Sequence, residues 1–417
     1  MVVTESLKTS KTVCIVGLGY VGYPLAETFS SHIKTMGFDI DEKKIHALAK
    51  TPTKIHASSD PSFIGSADFV MICVPTLLTK DNEPDLSYVC SAAAMVGKYL
   101  KKGAIVILES TVYPGVTEDV LRPILEKESG YSCGRDFKIG YSPERINPGD
   151  DVHVLAKITK IIAGMDEETT AAMAEVYGLI TTTYAAKDIR TAEAAKVVEN
   201  IQRDVNIALI NELSYIFHNM GINTKDVLEA AGTKWNFHRY TPGIVGGHCI
   251  PTVPYFLAHT AKKAGYDPHM ILAGRTTNDH MTRFIAEIIM GNLAKRGKDL
   301  SSAEVVVLGL TYKENVPDTR DNPVFDLIKI LKGYGITVYG NDPLLTPREI
   351  TALGVTPMEV LKKSVDCVVL AVPHQQFLEM AEGEFSRIAN PETQFIDIKG
   401  VFYKNSALRA RFNYITL

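Results

Sequence analysis

Apolar residues in this chain come in short unbroken runs, and the runs recur in two places. Residues 11–20 (KTVCIVGLGY) and 303–312 (AEVVVLGLTY) each read as a strand that ends in glycine and leads into a helix. A second pair matches in register: residues 66–76 (SADFVMICVPT) and 364–374 (SVDCVVLAVPH) share Ser, Asp, Val, Val and Pro. Gly17 and Gly309 stand 292 residues apart, and Pro75 and Pro373 stand 298 apart. Two pairs at nearly one offset predict two domains of one architecture. Continuous apolar strands belong to a parallel sheet covered on both faces, so the expected fold class is α/β, with two doubly wound domains.

Between the halves, residues 191–220 run thirty positions without Gly or Pro, and Gly221 then offers a stop. As one helix this segment would span about 45 Å, long enough to carry both domains. Its apolar stripe Val197, Ile201, Val205 and Ala208 predicts a homodimer through the central helix. Helical sequence continues to about Asn292, broken by a glycine-rich loop at 243–247, and the polar stretch 295–302 reads as a linker. The expected division is 1–190 for the first domain, 191–293 for a helical dimerisation and catalytic-loop region, and 300–417 for the second domain.

At 417 residues the chain exceeds one ordinary core. A net charge of −4 supplies no basic field, which excludes nucleic acid as an expected partner. No apolar run reaches the roughly 18 residues of a membrane span. The first ten residues, MVVTESLKTS, lack the apolar centre of a secretory signal and read as a short tail. The six cysteines (14, 73, 90, 133, 249 and 367) show no CxxC spacing, and Cys14, Cys73 and Cys367 lie in strand-like runs where a buried thiol is expected. This pattern fits a cytoplasmic protein and argues against a disulfide framework or a metal site.

Gly17-Leu18-Gly19-Tyr20-Val21-Gly22 is GxGxxG placed after a strand and at the start of a helical pattern. The first glycine permits the turn, the second admits a pyrophosphate to the backbone, and the third packs helix on strand. Asp39 lies 22 residues beyond Gly17, at the end of the expected second strand. A carboxylate there accepts ribose hydroxyls and repels a 2′-phosphate, so the Rossmann-like first half is expected to bind NAD rather than NADP. Asp41 is the rival for that role. The second half lacks the glycine triplet: Gly309-Leu310-Thr311-Tyr312-Lys313 leads to a polar loop ending at Arg320. Asp321 or Asn322 is expected to cap the next helix, with Pro323 in its first turn. Flanked by Lys313 and Arg320, that helix end reads as an anion site.

The loop 241–257 (TPGIVGGHCIPTVPYFL) is rich in glycine and proline and presents Cys249 beside His248. Irregular backbone around a thiol points to chemistry rather than packing. On the long helix, Lys196 and Asn200 are four residues apart and share a face with Glu193 and Arg203. That face is either simply solvated or a row of donors aimed at a developing oxyanion.

The segments VGLGYVGYPLA, ICVPT, ESTVYPGVTE, YSPERINPGD, EAAKVVENIQRDVNIALINE, GGHC and LGLTYKENVPDTRDNP stand in this order along nearly the whole chain. In these it resembles the UDP-glucose/GDP-mannose dehydrogenase family. The resemblance implies an N-terminal NAD domain, a helical dimerising middle and a C-terminal Rossmann-like domain that helps to bind a UDP-sugar. It also implies two oxidations that use two NAD per sugar without release of the aldehyde. Cys249 would be the nucleophile that forms a thiohemiacetal and then a thioester. Glu144 would serve as general base or orient the water, and Lys196 and Asn200 would stabilise the alkoxide and hemiacetal oxygen. Pro75 and Thr76 in the VPT segment, Thr111 and Arg320 resemble cofactor contacts, alongside Tyr20 and Val21 of the glycine loop. Arg145, Asn147, Arg203, Gly247 and Lys313 resemble substrate contacts.

The chain departs from the family at one place. Four residues after the nucleophile, where the family carries Asp, it has Val253, which puts thioester hydrolysis in question. Glu144 or His248 would have to compensate. YSPERINPGD and the GGHC region resemble members acting on UDP-N-acetylhexosamines, so UDP-GlcNAc is the first substrate expected and UDP-ManNAc the second, ahead of UDP-GalNAc and UDP-glucose. A 3-hydroxyacid or 6-phosphogluconate-type dehydrogenase needs neither the thiol loop nor a second nucleotide-like domain. A non-catalytic NAD-binding regulator is favoured by Val253 alone.

Overall fold

The computed structural model describes residues 11–147, 149–150, 152–358, 365–380, 385 and 392–417. The expected tail at 1–10, Pro148 of the YSPERINPGD segment and Ser364 of the second repeat lie outside the described residues. The chain divides into two compact units, Met1–Asn200 with Tyr255–Asp267 and Ile201–Pro254 with Pro268–Leu417.

In the first unit, strands β1 (Thr12–Val16), β2 (Lys34–Phe38), β3 (His56–Ser58), β4 (Phe69–Ile72), β5 (Ile105–Leu108), β6 (Lys138–Tyr141), β7 (Lys160–Gly164) and β8 (Thr183–Ala185) form one sheet. Their order is β8-β7-β6-β5-β4-β1-β2-β3. β1 to β6 are parallel, while β7 runs antiparallel to β6. Helices α1 (Gly22–Ser30), α2 (Glu42–Leu48), α3 (Ser87–Tyr99) and α4 (Glu167–Tyr177) flank it. β1 and β4 are buried at every position because both faces are covered. Cys14, Val16, Val70 and Ile72 pack with Val89, Ala92 and Val96 of α3. Val13, Ile15, Phe69 and Met71 pack on the other side with Leu25 and Phe29 of α1 and Met173 and Val176 of α4. The unbroken apolar runs of the sequence arise from this double burial.

The helix α5 (Ile189–Met220) has 32 residues, about 48 Å at 1.5 Å per residue, and passes from the first unit into the second. The stripe expected at its outer face is not there. Val197 and Ala208 are buried, and the exposed apolar residues are Val198, Leu209, Ile216 and Met220. At 3.6 residues per turn these four fall within about 40° of one another. An apolar spacing of four does not say which face meets the core, and here the core takes Val197 and Ala208 and half-buries Ile201 and Val205.

The second unit takes in the loop that leads to α6 (Val253–Lys263) and the helix α7 (His269–Lys295). Arg275 of α7 is buried and holds buried Asp204 of α5 at 2.5 Å, and Asn278 donates to the same carboxylate at 2.8 Å. Beyond the linker, β9 (Glu304–Leu308), β10 (Thr337–Asn341), β11 (Thr356–Pro357), β12 (Cys367–Leu370), β13 (Gln394–Asp397) and β14 (Asn413–Thr416) form a wholly parallel sheet. Its order is β11-β10-β9-β12-β13-β14. Both units therefore contain the strand order 3-2-1-4-5-6 of a doubly wound nucleotide fold. The two repeats seen in the sequence are the first and fourth strands of each sheet.

Candidate active site

β1 ends in Gly17 at φ +95°, where a Cβ would lie 2.7 Å from the Cys73 carbonyl oxygen. A Cβ on Gly22 would lie 1.8 Å from the Gly17 carbonyl oxygen, whereas Gly19 borders open space. No side chain caps α1, so N–H groups at its positive end remain for a diphosphate. The cradle fits NAD. Asp39, just after β2, is buried; its Oδ2 accepts from the Leu18 N–H at 2.8 Å and Lys44 Nζ at 2.7 Å, and Oδ1 from the Asp41 N–H at 2.9 Å. Burial pushes its pKa up, but the bonds from Lys44, Asp41 and Leu18 outweigh it and hold the carboxyl below its ordinary value. With two acceptor positions per oxygen, one remains on Oδ1 for a ribose hydroxyl. Asp41 caps α2 by accepting the Lys43 and Lys44 N–H groups. Lys44 escaped the sequence reading; its signal is its place in the first turn after that cap, five residues beyond Asp39. Thr76, after β4, donates to the Thr111 carbonyl, after β5, at 2.8 Å. All these loops lie at the carboxyl edge of the sheet, where open α/β folds bind ligands. Tyr20 and Pro75 are exposed and Val21 is half-buried.

The second unit repeats the turn but not the cradle. Gly309 has φ +89° and stands against Val372 as Gly17 does against Cys73. Asp342, after β10, accepts from the N–H groups of Leu310 at 2.6 Å and Thr311 at 3.2 Å. His374 is fully buried; its Nδ1 accepts the Asn315 N–H at 2.9 Å. The ring therefore carries its hydrogen on Nε2, 3.0 Å from Asp342 Oδ2 and 3.1 Å from Thr311 Oγ1. Asn322, not Asp321, accepts the Val324 N–H at 3.1 Å, with Pro323 at the cap of α8 (Val324–Gly333) rather than in its first turn. The anion site expected here is altered accordingly. One helix N–H is taken by Asn322, and the Arg320 guanidinium is held by Asp318 at 2.6 Å. Lys313 is half-buried.

Glu144 follows β6 in the first unit. Its Oε1 accepts the N–H groups of Arg145 at 2.6 Å and Ile146 at 2.7 Å. Burial raises its pKa, but the Lys160 charge and these two N–H groups prevail and hold it below the ordinary value. Arg145 is engaged by the Thr159 carbonyl at 2.6 Å and by Glu199 at 2.7 Å, and Asn147 is exposed. The row expected on α5 splits. Glu193 is wholly buried and anchors the Gly115 N–H and the Thr117 N–H and hydroxyl, at 2.5, 2.9 and 2.7 Å. Lys196 and Asn200 are buried, and Arg203 is exposed. Among the described residues the Asn200 Nδ2 is buried without a hydrogen-bond partner, a donor that fits a ligand oxygen.

In the second unit, Gly247 has φ +89°, and a Cβ there would lie 2.8 Å from the Tyr312 ring. Its N–H donates to the Asp321 carbonyl at 2.9 Å. Asp321 itself sits at φ +48°, a strained conformation for a residue with a side chain, and its carboxylate is 3.0 Å from His248 Nδ1. Cys249 is therefore preceded by two residues tied to one loop. Cys249 is exposed, whereas Cys14, Cys73 and Cys367 are buried and burial lifts the Cys14 thiol to about 12. Val253 opens α6 with its side chain buried and its N–H donating to the Cys249 carbonyl at 3.0 Å.

Three family models match consecutive parts of the chain: the NAD binding domain of the UDP-glucose/GDP-mannose dehydrogenase family over residues 11–181, its central domain over 190–280 and its UDP binding domain over 306–404. The chain is 44% identical to Protein CapL of Staphylococcus aureus, with 94% of this chain and 96% of that one covered. It is 42% identical to the UDP-N-acetyl-D-glucosamine 6-dehydrogenase of Pseudomonas aeruginosa, covering 93% and 96%. Among solved structures it superposes on the UDP-D-ManNAc dehydrogenase of Pyrococcus horikoshii with a TM-score of 0.86 at 29% identity, covering 97% and 98%. The chain belongs to the UDP-glucose/GDP-mannose dehydrogenase family, and it is an oxidoreductase that uses NAD.

Proposed function

We propose that this enzyme oxidises the C6 primary alcohol of a UDP-N-acetylhexosamine to the uronic acid, with UDP-GlcNAc preferred and UDP-ManNAc second, to supply a polysaccharide or glycan precursor. What carries the reading is an exposed Cys249, in a loop tied down by Asp321, in a chain whose near-full-length relative is named for UDP-N-acetyl-D-glucosamine. The solved structure named for UDP-D-ManNAc shares less of the sequence, at 29% identity. In this reading residues 1–190 hold NAD, 191–293 supply the nucleophile and the dimer contact, and 300–417 help to hold the UDP-sugar, a division that the family segments at 11–181, 190–280 and 306–404 support.

The glycine cradle with Asp39, Lys44, Thr76 and Thr111 would hold NAD, which when bound accepts one hydride in each oxidation. The Cys249 thiolate would add to the carbon of the aldehyde left by the first oxidation and hold it through the second, which leaves a thioester. Glu144 takes a proton from water, whose oxygen then displaces Cys249 and leaves the carboxylate. Lys196 and Asn200 donate to the oxygen that bears charge between these steps. Val253 presents no carboxylate beside Cys249, so thioester hydrolysis is the slow step. The exposed residues Val198, Leu209, Ile216 and Met220 of α5 support a homodimer, which light scattering at micromolar concentration tests. No described helix is long and apolar enough to cross a membrane, and the free cysteines fit residence in a reducing cytoplasm.

The deciding experiment follows NADH formation with a panel of UDP-sugars and analyses the product as acid or aldehyde. UDP-GlcNAc gives the highest kcat/KM, a burst of NADH precedes slow turnover, and intact-mass analysis of quenched enzyme finds a sugar-nucleotide adduct that Cys249→Ser lacks. A preference for UDP-glucose refutes the substrate. No burst, no adduct and no NADH with any UDP-sugar refutes the activity.

A further inference from the structure

Behind Glu144 lies a group of charges that the chemistry above leaves unused. Gly140 of β6 pairs with Gly164 of β7, and Tyr141 with Ala163. Carried past the strand ends, that antiparallel register sets Lys160 opposite Glu144. Lys160 Nζ donates to Glu109 Oε2 at 2.7 Å and to the Pro143 carbonyl at 3.1 Å, and lies 3.4 Å from Glu144 Oε2. Glu109 follows β5, and its other oxygen accepts the hydroxyl of Tyr177, the last residue of α4. Lys160 is 2% exposed and Glu109 1%. The remaining titratable groups facing the cluster are Cys73 after β4 and Tyr141 in β6, both kept neutral by burial.

One ammonium thus stands between two carboxylates with almost no water around them. A single cation cannot compensate two buried anions, so the second negative charge is discharged by a proton. We propose that Lys160 and Glu109 are positioning residues for Glu144: Lys160 pins the loop that carries Glu144 and supplies its counter-charge, while Glu109 holds the cluster's proton and so sets how strong a base Glu144 is. The proposal rests on the reading of Glu144 as the base. With Glu109 protonated, Lys160 serves Glu144 alone and Glu144 is a weak base. With Glu109 ionised, the two carboxylates compete for Lys160 and Glu144 binds a proton more readily. The directions of titration agree. Burial, only partly opposed by Lys160, lifts Glu109 to about 7, while Glu144 stays below its ordinary value. The two carboxyls titrate as a unit, so the neutral-range step belongs to the cluster. Glu193, also lifted to about 7 by burial, is bonded to a different loop and is unchanged by substitutions here.

Glu109→Gln keeps the shape and leaves an amide oxygen for Lys160. With UDP-GlcNAc and NAD over roughly pH 5 to 9, kcat of the parent enzyme shows an inflection near neutrality that Glu109→Gln lacks. In the variant kcat above neutrality falls about 3- to 10-fold, with KM within about twofold. Thermal unfolding without substrate reads the cluster independently of activity. The folded pKa of Glu109 lies above the unfolded value of about 4.3, so ionising it withdraws stability as pH rises from there through about 7. Glu109→Gln therefore gains on the parent across that window, and the difference is flat above it. Lys160→Arg keeps the parent profile. Lys160→Met in the Glu109→Gln background leaves Glu144 without a cation and moves its acidic limb up by about one pH unit or more. A Glu109→Gln enzyme that retains the neutral inflection, or an unfolding difference that does not change with pH, overturns the proposal. If the unfolding difference appears but no protein in the series forms NADH, the shared proton is upheld and the base assignment of Glu144 is what fails.

Discussion

The carboxyl edges of the two sheets are built on one plan and put to different uses. In each, a carboxylate at the end of the second strand reaches back to the N–H of the leucine in the first turn: Asp39 to Leu18 at 2.8 Å, Asp342 to Leu310 at 2.6 Å. That bond is therefore a structural clamp on the turn, common to both edges, and not by itself a mark of cofactor binding. What differs is everything around it. Beside Asp39 are an open Gly19, an uncapped helix and a half-exposed Lys44. Beside Asp342 are Thr311, a helix N–H taken by Asn322 and a buried His374 bonded to the same carboxylate. The dinucleotide site is the edge where the clamp was left with a way in.

The comparison is most sharply broken at Gly22. Its Cβ would meet main-chain oxygen at 1.8 Å, which neither rotamer change nor a small shift relieves, so Gly22→Ala displaces the start of α1. Calorimetric titration is expected to show NAD affinity down at least about 100-fold, about 2.8 kcal/mol. The position that corresponds in the second unit is already Glu314, paired with Lys399. Unchanged NAD affinity in Gly22→Ala would mean that the cradle is not the diphosphate site.

Comparable in size is the effect of the pair of clamp carboxylates. Asp342→Ala leaves two buried N–H groups without an acceptor and His374 with Thr311 alone, and should cost about 3 kcal/mol in denaturant unfolding, with no direct effect on NAD affinity. Asp39→Ala should cost less stability but weaken NAD about 10-fold and narrow the preference over NADP. The reverse pattern would exchange the roles assigned to the two edges. Asp342 also has a pH signature. Burial opposes ionisation, but His374 and the Leu310 N–H outweigh it and hold the pKa below its ordinary value. Its contribution is therefore full above about pH 4 and is lost as pH falls through the depressed folded value. The stability gap between parent and Asp342→Asn should accordingly shrink on acidification below about pH 4.

These contrasts were only partly legible in the sequence. The two sheets were, because double burial writes itself as unbroken apolar runs and because Gly17 and Gly309 mark equivalent turns. The glycine cradle was legible for the same reason, since positive φ and close approach leave few alternatives. The outer face of α5 was not. Val197 and Val198 are adjacent and equally apolar, and only the packing of the core decides that the second is exposed. The pairing of Lys160 with Glu109 was also hidden: they are 51 residues apart, and although Glu109 opens the ESTVYPGVTE segment, nothing in that segment points to Lys160. Only the antiparallel turn-back of β7, a departure from the parallel pattern, brings the lysine to the carboxyl edge. His248 and Asp321 belong to the same class: each sits in a readable loop, but their 3.0 Å pairing is tertiary.

The smallest expected effect is the most exacting test of the comparison. Thr311 stands where the first unit has Gly19, and Thr311→Gly restores the second glycine of the triplet to the second edge. If glycine alone made a dinucleotide site, the variant would bind a second NAD. The structure argues that it does not. Removing the hydroxyl frees the Lys313 carbonyl and one side of His374, which should cost about 1 kcal/mol in stability. His374 remains fixed by the Asn315 N–H and still donates to Asp342, and Asn322 still occupies the first N–H of α8. A diphosphate would find one helix N–H taken, and a ribose would find the buried His374 already bonded to the carboxylate. Titration should therefore give one NAD per chain in both parent and Thr311→Gly, with unchanged affinity at the first edge. A second binding event in the variant would show that the glycine, rather than the buried histidine, separates the two edges.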